Sequence, residues 1–225
     1  MTIGHGQTWA VVPLRGLEDA KTRLGGELDA EERLELVVVM ATRTLAAARD
    51  ARGLHGTVLV TADPAAARLA VWFGARTLVQ RLPGLNAAIR EARAVAVQGG
   101  ADAVIVLPID LPAIDAATID EVLDRAATEH APGSPGLVAA VPDRHGTGTN
   151  VLFLSPPDVI EPAFGEDSLT AHRRAATAAG ARFLELGGPL VADVDTGADL
   201  MAAEAASSDP SVAGAGLGHG GPDAS

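Results

Sequence analysis

The sequence predicts an α/β fold, a three-layer sandwich in which helices cover both faces of a mostly parallel central sheet. The 225 residues suit one α/β domain. Strand and helix patterns alternate as βαβαβαβα along the first part of the chain and become less regular afterwards. Residues 103–107 (AVIVL) form a continuous apolar run, which is typical of a parallel strand buried on both faces.

Eight short segments have the composition of strands. In chain order they are residues 8–13, 57–61, 76–79, 103–107, 137–141, 150–154, 182–186 and 192–195. The segment 14–28, between the first strand and the first helix, is too polar and glycine-rich for a regular element. We therefore expect a loop there.

The first predicted helix begins after Asp29. Apolar residues from Leu34 to Ala48 recur at three- and four-residue steps and form one stripe, and Asp29 with Glu32 makes a capping pair. A second helix follows Asp63, and others are predicted over 85–98, 116–129, 169–179 and 198–206. Residues 207–225 are rich in Gly, Ser and Pro and lack periodicity, so we expect one domain over 1–206 and a disordered tail.

Composition excludes several classes of protein. The net charge of −12 argues against non-specific nucleic-acid binding, which requires a cationic surface. No apolar run approaches the roughly 18 residues that span a bilayer, and the N-terminus lacks the pattern of a secretory signal. The absence of cysteine excludes disulfides, thiolate metal sites and a Cys nucleophile. A cytoplasmic enzyme without nucleic-acid or membrane partners is expected.

Asp110 directly follows the apolar strand 103–107 and lies between Pro108 and Pro112. Ligands of open parallel sheets bind beyond the carboxyl ends of the strands, and the two prolines predict a stiff loop that displays the carboxylate there. Aspartate is also common in turns and caps. Since Asp115 is better placed to cap the next helix, the pattern favours a functional role for Asp110.

Asp193 and Asp195 form a second acidic element near the end of the predicted domain. Two residues apart on a strand, they would point to the same side with Cα atoms about 6.5–7 Å apart. Such carboxylates repel each other unless a cation or solvent lies between them. With Asp110 they would supply the hard oxygen ligands that Mg²⁺ prefers, although a solvated acidic turn also fits the Asp-x-Asp pattern.

The loop after the first strand carries Arg15, Lys21 and Arg23, and Lys21 is the only lysine in the chain. Three cations this close can wrap a triphosphate, with arginine binding in a bidentate manner and lysine acting as a point charge. The Walker pattern Gly-x-x-x-x-Gly-Lys is absent. A solvated basic loop balanced by Glu18 and Asp19 fits the spacing equally well.

Two further segments have the pattern of ligand-binding helix starts. Residues 164–168 (FGEDS) precede a helix whose free N–H groups would attract phosphate or carboxylate, and capping by Asp167 or Ser168 is compatible with that role. Asn86 opens another helix and could read a base edge, although a plain helix start suits it equally. The six histidines lack metal-ligand spacing, and His172 is not assigned as a base.

These motifs, in this order, resemble the guanylyltransferase family of coenzyme F420 biosynthesis, whose enzymes join GMP to 2-phospho-L-lactate or phosphoenolpyruvate. The similarity covers residues 9–201. The motifs that carry it are residues 12–13 with 20–24 (VP…AKTRL), 84–86 (GLN), 107–112 (LPIDLP), 148–150 (GTN), 164–172 (FG…S…H) and 193–196 (DVDT). The resemblance implies a nucleotidyltransferase fold of the nucleotide-diphospho-sugar transferase type.

The resemblance also implies roles for individual residues. Positions that hold Mg²⁺ in the family match Asp110, Asp193 and Asp195. Positions that bind the phosphorylated acid match Thr149, Gly165 and Ser168. Lys21 matches a basic residue of the first loop, whereas the family usually has lysine where this chain has Arg15. We assign catalysis to Lys21 and Asp110, and nucleotide binding to Arg15, Lys21, Arg23 and Asn86.

The reaction that the resemblance implies is attack of an acid phosphate oxygen on the α-phosphorus of GTP, with release of pyrophosphate. The product would be enolpyruvoyl-2-diphospho-5′-guanosine, passed to the next enzyme of the F420 pathway. Phosphoenolpyruvate is favoured over 2-phospho-L-lactate because the Ala/Arg-rich composition looks bacterial, and a homodimer is compatible with this interpretation. Two alternatives stay open: a nucleotidyltransferase for a molybdenum cofactor or sugar phosphate, and a catalytically silent GTP-binding module.

Overall fold

A computed structural model of the chain describes residues 6–14, 29–129 and 135–193. Its centre is a seven-stranded sheet with the strand order β3-β2-β1-β4-β6-β5-β7. The strands are β1 (Thr8–Leu14), β2 (Leu54–Thr61), β3 (Arg76–Val79), β4 (Ala103–Val106), β5 (Leu137–Pro142), β6 (Thr149–Ser155) and β7 (Arg182–Glu185). The helices are α1 (Ala30–Asp50), α2 (Pro64–Trp72), α3 (Leu85–Gln98), α4 (Ala116–Glu129) and α5 (Ser168–Ala178).

The sheet is mostly parallel, as the sequence predicts. The pairs β1–β2, β2–β3, β1–β4 and β5–β7 are parallel. β6 lies between β4 and β5 and is antiparallel to both. Because β6 runs in the opposite direction, its first residue, Thr149, lies at the edge of the sheet where β1 and β4 end.

The sheet separates two hydrophobic cores, and side chains on each strand alternate between them. On β1, Ala10 and Val12 belong to one core, while Trp9 and Val11 belong to the other. α1, α2 and α4 contribute buried residues to the first core, and α3 and α5 to the second. This is the period of two expected of strands, and it gives the predicted three-layer sandwich.

Side-chain caps fix the beginnings of three helices. Asp29 accepts hydrogen bonds from the N–H groups of Glu31 and Glu32 at 2.9 and 3.0 Å, and the Glu32 carboxylate accepts one from the Asp29 N–H at 2.8 Å. This is the predicted capping pair at the start of α1. Asp63 caps α2, and Asp115 caps α4 by accepting a hydrogen bond from the Thr118 N–H at 2.7 Å.

The prediction of a last strand over 192–195 is wrong for its described part. Ala192 and Asp193 are not in a strand and follow a 3₁₀ turn at Pro189–Val191. The side-chain amide of Asn150 donates to the carbonyl oxygens of Leu190 and Val191, both at 3.0 Å. Both carbonyls are therefore bound by a side chain. In a strand they would instead accept hydrogen bonds from a neighbouring strand.

Other boundaries shift by a few residues. Leu14, expected in the loop, is the buried last residue of β1, and β2 begins at Leu54. The predicted loop from residue 15 onward, the helix over 198–206 and the tail over 207–225 lie outside the described residues. Among the described helices, none has the length and apolar composition needed to cross a membrane.

Candidate active site

A cavity of about 250 Å³ lies at the edge of the sheet where β1 and β4 end and β6 begins. Five of the predicted site residues line it: Asp110, Thr149, Gly165, Ser168 and Asp193. They come from four separate parts of the chain, so the fold brings together five of the six predicted site residues that the structure describes. Of the remaining predicted residues, Arg15, Lys21, Arg23 and Asp195 lie outside the described residues.

Asp110 is held on the cavity wall by its two neighbours. Ile109 and Leu111 are buried in the core beneath α1 and α4, with 8% and 1% exposure. The chain reaches this loop along β4, and the Leu107 N–H continues the sheet by donating to Val11 O at 2.9 Å. Burial on both sides of Asp110 prevents the loop from rotating without exposing apolar surface, so the carboxylate stays at the cavity.

Asp193 reaches the same cavity because the chain after β7 is bound back to the start of β6. Asn150, which is buried, holds the carbonyls of Leu190 and Val191 and so fixes the approach to Asp193. The Asp193 carboxylate forms an ion pair with Arg144 at 3.5 Å. Asn150 had no predicted role, although it adjoins Thr149 in the motif GTN.

The charged residues in the described lining of this cavity are all carboxylates, namely Asp110, Asp143 and Asp193. Asp143 accepts a hydrogen bond from the Thr147 N–H at 2.9 Å, which closes the turn before β6. Within the described residues, no group of three or more His, Asp or Glu side chains is close enough to hold a metal ion. An anionic ligand here therefore needs positive charge close by, from a bound cation or from basic side chains such as Arg144, which pairs with Asp193.

Another part of the cavity wall carries small and hydroxyl-bearing residues. Ser168 is the buried first residue of α5, and Thr149 is half-buried at the start of β6. Gly165 has φ of 137°, in the region that favours glycine, and a side chain added there would meet no atom within 4 Å. This wall is therefore open to a ligand at Gly165.

The helix start beside this wall has no side-chain cap. The prediction that Asp167 or Ser168 caps α5 is wrong, because Asp167 occupies the N-cap position at φ 53° without a side-chain hydrogen bond. In the first turn, the Leu169 N–H donates to Thr147 O at 3.0 Å. This bond connects the start of α5 to the turn before β6.

His172 is a buried polar residue next to the cavity. Its Nδ1 lies 3.1 Å from the Thr149 hydroxyl, and its Nε2 accepts a hydrogen bond from the Ala163 N–H at 3.0 Å. Burial lowers the pKa of His172 to about 4, so the ring is neutral at neutral pH. His172 was not assigned as a base from the sequence, but its position four residues after Ser168 places it on the same helix face.

Asn86 binds backbone near the cavity. Its side-chain amide donates to Phe164 O at 2.9 Å, and its carbonyl oxygen accepts from the Phe164 N–H at 2.8 Å. The edge of the carboxamide that would pair with a base is therefore bonded to the segment preceding Gly165. This arrangement favours a positioning role for Asn86 over base contact.

A larger cavity of about 510 Å³ adjoins the first, and the two share Pro13 and Leu85 in their walls. One side of it is the loop 80–84. The Gln80 amide donates to Leu82 O and Gly84 O, and the Glu91 carboxylate accepts from the N–H groups of Arg81 and Leu82 at 3.1 and 3.0 Å. Hydrogen bonds with Gln80 and Glu91 thus hold the loop in place. The lining of this larger cavity is largely apolar.

Comparison with known proteins gives a fold and a family. The solved structure described as a nucleotide-diphospho-sugar transferase from Desulfovibrio desulfuricans matches with a TM-score of 0.68 at 17% identity, covering 87% of this chain and 85% of that one. The CMP:2-keto-3-deoxy-manno-octonic acid synthetase complexed with CTP matches with a TM-score of 0.59 at 17% identity, covering 89% and 98%. These matches confirm the predicted nucleotidyltransferase fold type.

Sequence relatives are much closer. The phosphoenolpyruvate guanylyltransferase of Sphaerobacter thermophilus is 40% identical over 194 residues, which is 86% of this chain and 90% of the relative. The enzyme of the same name from Conexibacter woesei is 39% identical, with 87% and 86% covered, and that from Rubrobacter xylanophilus is 39% identical, with 88% and 93% covered. The family model described as guanylyl transferase CofC like matches residues 8–203. The chain therefore belongs to the CofC-like guanylyl transferase family.

Proposed function

We propose that the chain is a phosphoenolpyruvate guanylyltransferase, which joins GMP from GTP to the phosphate of phosphoenolpyruvate and releases pyrophosphate in coenzyme F420 biosynthesis. The observation that carries the proposal is the cavity of about 250 Å³, whose wall contains Asp110, Thr149, Gly165, Ser168 and Asp193. Relatives of that name are 39–40% identical over most of the chain, which favours phosphoenolpyruvate over 2-phospho-L-lactate as the acid.

The acid is assigned to the wall formed by Thr149, Gly165 and Ser168. Two hydroxyl groups there can donate to phosphate or carboxylate oxygens. The bare backbone at Gly165 lets an anion approach closely, and the uncapped start of α5 contributes the positive end of the helix dipole. These features suit a small anion better than an apolar ligand.

The nucleotide is assigned to the adjoining cavity of about 510 Å³. Its apolar wall and the hydrogen-bonded loop 80–84 suit a flat purine ring. This cavity adjoins the one assigned to the acid, because Pro13 and Leu85 line both. The triphosphate would then lie near the end of β1, from which the chain continues to Arg15, Lys21 and Arg23. Those three cations remain proposed nucleotide ligands.

Asp110 and Asp193, together with Asp195, are proposed to hold Mg²⁺. The two described carboxylates line the same cavity and are the hard oxygen donors that Mg²⁺ prefers. The Asp193 carboxylate also contacts a cationic side chain, Arg144, at 3.5 Å. When bound, the metal supplies positive charge that offsets repulsion between the acid and the triphosphate.

The chain's own residues orient the acid and need not move a proton. A phosphate oxygen of the acid forms the new bond to the α-phosphorus of GTP, and the bond from that phosphorus to the departing pyrophosphate breaks. The attacking phosphate is already anionic, so no general base is required. This agrees with the environment of His172, which is buried and already bonded at both ring nitrogens. Catalysis then rests on positioning and on charge compensation.

A substrate panel tests the proposal. The purified protein is incubated with Mg²⁺, each of the four nucleoside triphosphates, and phosphoenolpyruvate, 2-phospho-L-lactate, molybdopterin or a sugar phosphate, and pyrophosphate is measured. GTP with phosphoenolpyruvate is expected to give the fastest release. Faster release with another acid or nucleotide would replace the assigned substrates. Binding of GTP without pyrophosphate in any combination would instead indicate a catalytically silent module.

A further inference from the structure

The position of the proton on His172 follows from its backbone partner. The ring is fully buried, and its Nε2 lies 3.0 Å from the Ala163 nitrogen. A backbone N–H can only donate, so Nε2 must be the accepting, unprotonated nitrogen. The neutral ring therefore carries its hydrogen on Nδ1.

The same reasoning fixes the direction of the Thr149 hydroxyl. Nδ1 of His172, which carries the hydrogen, lies 3.1 Å from Thr149 Oγ1 and must donate to it. The hydroxyl hydrogen of Thr149 consequently points away from His172, and Thr149 lines the cavity assigned to the acid. We propose that His172 is a positioning residue that holds the Thr149 hydroxyl as a hydrogen-bond donor to the bound anionic acid. This inference rests on the proposed function, because it takes the acid to bind at Thr149.

The surrounding contacts hold His172 in this orientation. The Phe164 ring packs edge-on against the imidazole with 5.1 Å between centroids, and Asn86 bonds both backbone groups of Phe164. α3, the segment 163–165, α5 and β6 are thereby connected through His172. One buried side chain thus links the segments that carry Thr149, Gly165 and Ser168.

Protonation would destroy the arrangement, and burial opposes protonation. A charged imidazole carries hydrogen on both nitrogens, so Nε2–H would face the Ala163 N–H. The low pKa of His172, about 4, keeps the ring neutral at neutral pH. The opposite neutral tautomer would leave Nδ1 as an acceptor, and the Thr149 hydroxyl would then turn its hydrogen towards His172 and away from the acid.

A double-mutant cycle tests the inference, with steady-state KM and kcat measured for both substrates. In His172→Gln the amide extends towards Ala163, and the donor at the Nδ1 position is lost. In Thr149→Val the hydroxyl is removed while the shape is kept. We expect each single variant to raise the KM for phosphoenolpyruvate roughly 10-fold or more, as loss of a hydrogen bond to a charged group would do, with little change in the KM for GTP.

The double variant decides the result. If His172 acts through the Thr149 hydroxyl, His172→Gln in the Thr149→Val background has no further effect on the KM for phosphoenolpyruvate. Multiplicative effects of the two changes would overturn the inference. His172→Asn serves as the matched variant, because its amide nitrogen can take the place of Nδ1–H, and it should lose less than His172→Gln. Thermal unfolding of each variant identifies losses due to misfolding.

Nitrogen-15 NMR of histidine-labelled wild-type protein gives a second measurement that does not use activity. At neutral pH we expect Nδ1 of His172 to be protonated and Nε2 to be unprotonated. The opposite tautomer would overturn the inference even in an active enzyme. Absence of pyrophosphate release from wild-type protein with GTP and phosphoenolpyruvate would contradict the proposed function itself, so the two failures are distinguishable.

Discussion

Asp110 lines the cavity because the apolar residues on either side of it are buried in the core. Its neighbours Ile109 and Leu111 are buried, and Pro108 also lines the cavity. The sequence was sufficient to single out Asp110, because the strand before it, the prolines around it and the better cap at Asp115 are all local signals. The contribution of the Asp110 carboxylate to the reaction can be tested by a single substitution.

Replacement of Asp110 by Asn keeps the size of the side chain and removes its charge. We expect Mg²⁺-dependent pyrophosphate release to fall by at least roughly 100-fold, since a metal ligand contributes several kcal/mol to the transition state. Steady-state rates across a range of Mg²⁺ concentrations measure this. Asp158→Asn, a matched loss of charge at an exposed residue outside the cavity wall, should behave as wild type. Full turnover in Asp110→Asn would contradict the metal assignment.

The buried His172 predicts a pH dependence of stability. Its pKa falls from 6.5 to about 4 in the folded protein, so between these values the unfolded chain binds more protons than the folded one. The stabilisation is present above about pH 6.5 and is lost as the pH falls towards 4, by roughly 3 kcal/mol in total. Urea unfolding between about pH 7.5 and 4.5 measures it.

His172→Asn is the control for that measurement, because asparagine does not titrate. The difference in unfolding free energy between wild type and variant should shrink on acidification. Only in the wild type does protonation of residue 172 in the unfolded chain lower the free energy of unfolding. An equal loss of stability in both proteins would show that His172 is not the buried group responsible.

At the level of elements, the sequence predicted the caps of α1, α2 and α4, because a cap and the N–H groups that it binds lie within one turn, whereas the cap predicted for α5 was wrong. The Asp29–Glu32 pair, Asp63 and Asp115 all occupy the expected cap positions. The 3₁₀ turn at Pro189–Val191, near the end of the described residues, could not be predicted from a local pattern. The carbonyls of Leu190 and Val191 are bound by Asn150, which is 40 residues away in sequence, so no local pattern distinguishes this turn from a strand.

Removal of the α1 cap is expected to destabilise the protein without changing its chemistry. Asp29→Ala loses the bonds to the N–H groups of Glu31 and Glu32, and the free energy of unfolding should fall by about 1 kcal/mol. Chemical denaturation measures the change. Asp29→Asn, which can still accept these bonds, should retain most of the stability; an equal loss in both variants would mean that the charge or the packing of Asp29 matters more than the cap.

At the level of the whole molecule, the reversal of β6 brings the residues of the candidate site to one edge of the sheet. The sequence predicted a mostly parallel sheet from its alternating elements, but strand direction within the β5–β6 pair depends on pairing that no single segment encodes. Because β6 is antiparallel, Thr149 lies at the edge where Asp110 follows β4. The resemblance implied that Thr149, Gly165 and Ser168 bind the acid, and all three line the cavity. Asn86 and Asn150 bind backbone that is 40 or more residues away in sequence, so no local pattern indicates these contacts. His172 connects Ala163 to Thr149, a contact that likewise depends on the fold.

In the proposed function, this edge of the sheet joins GMP to the phosphate of phosphoenolpyruvate. The most direct test uses phosphoenolpyruvate whose non-bridging phosphoryl oxygens are oxygen-18, incubated with GTP, Mg²⁺ and the purified protein, followed by mass spectrometry of the products. Attack on the α-phosphorus predicts that all of the label is retained in the diphosphate-linked product of GMP and the acid, and none appears in pyrophosphate. Label in pyrophosphate, or the formation of GDP and phosphate alone, would contradict it.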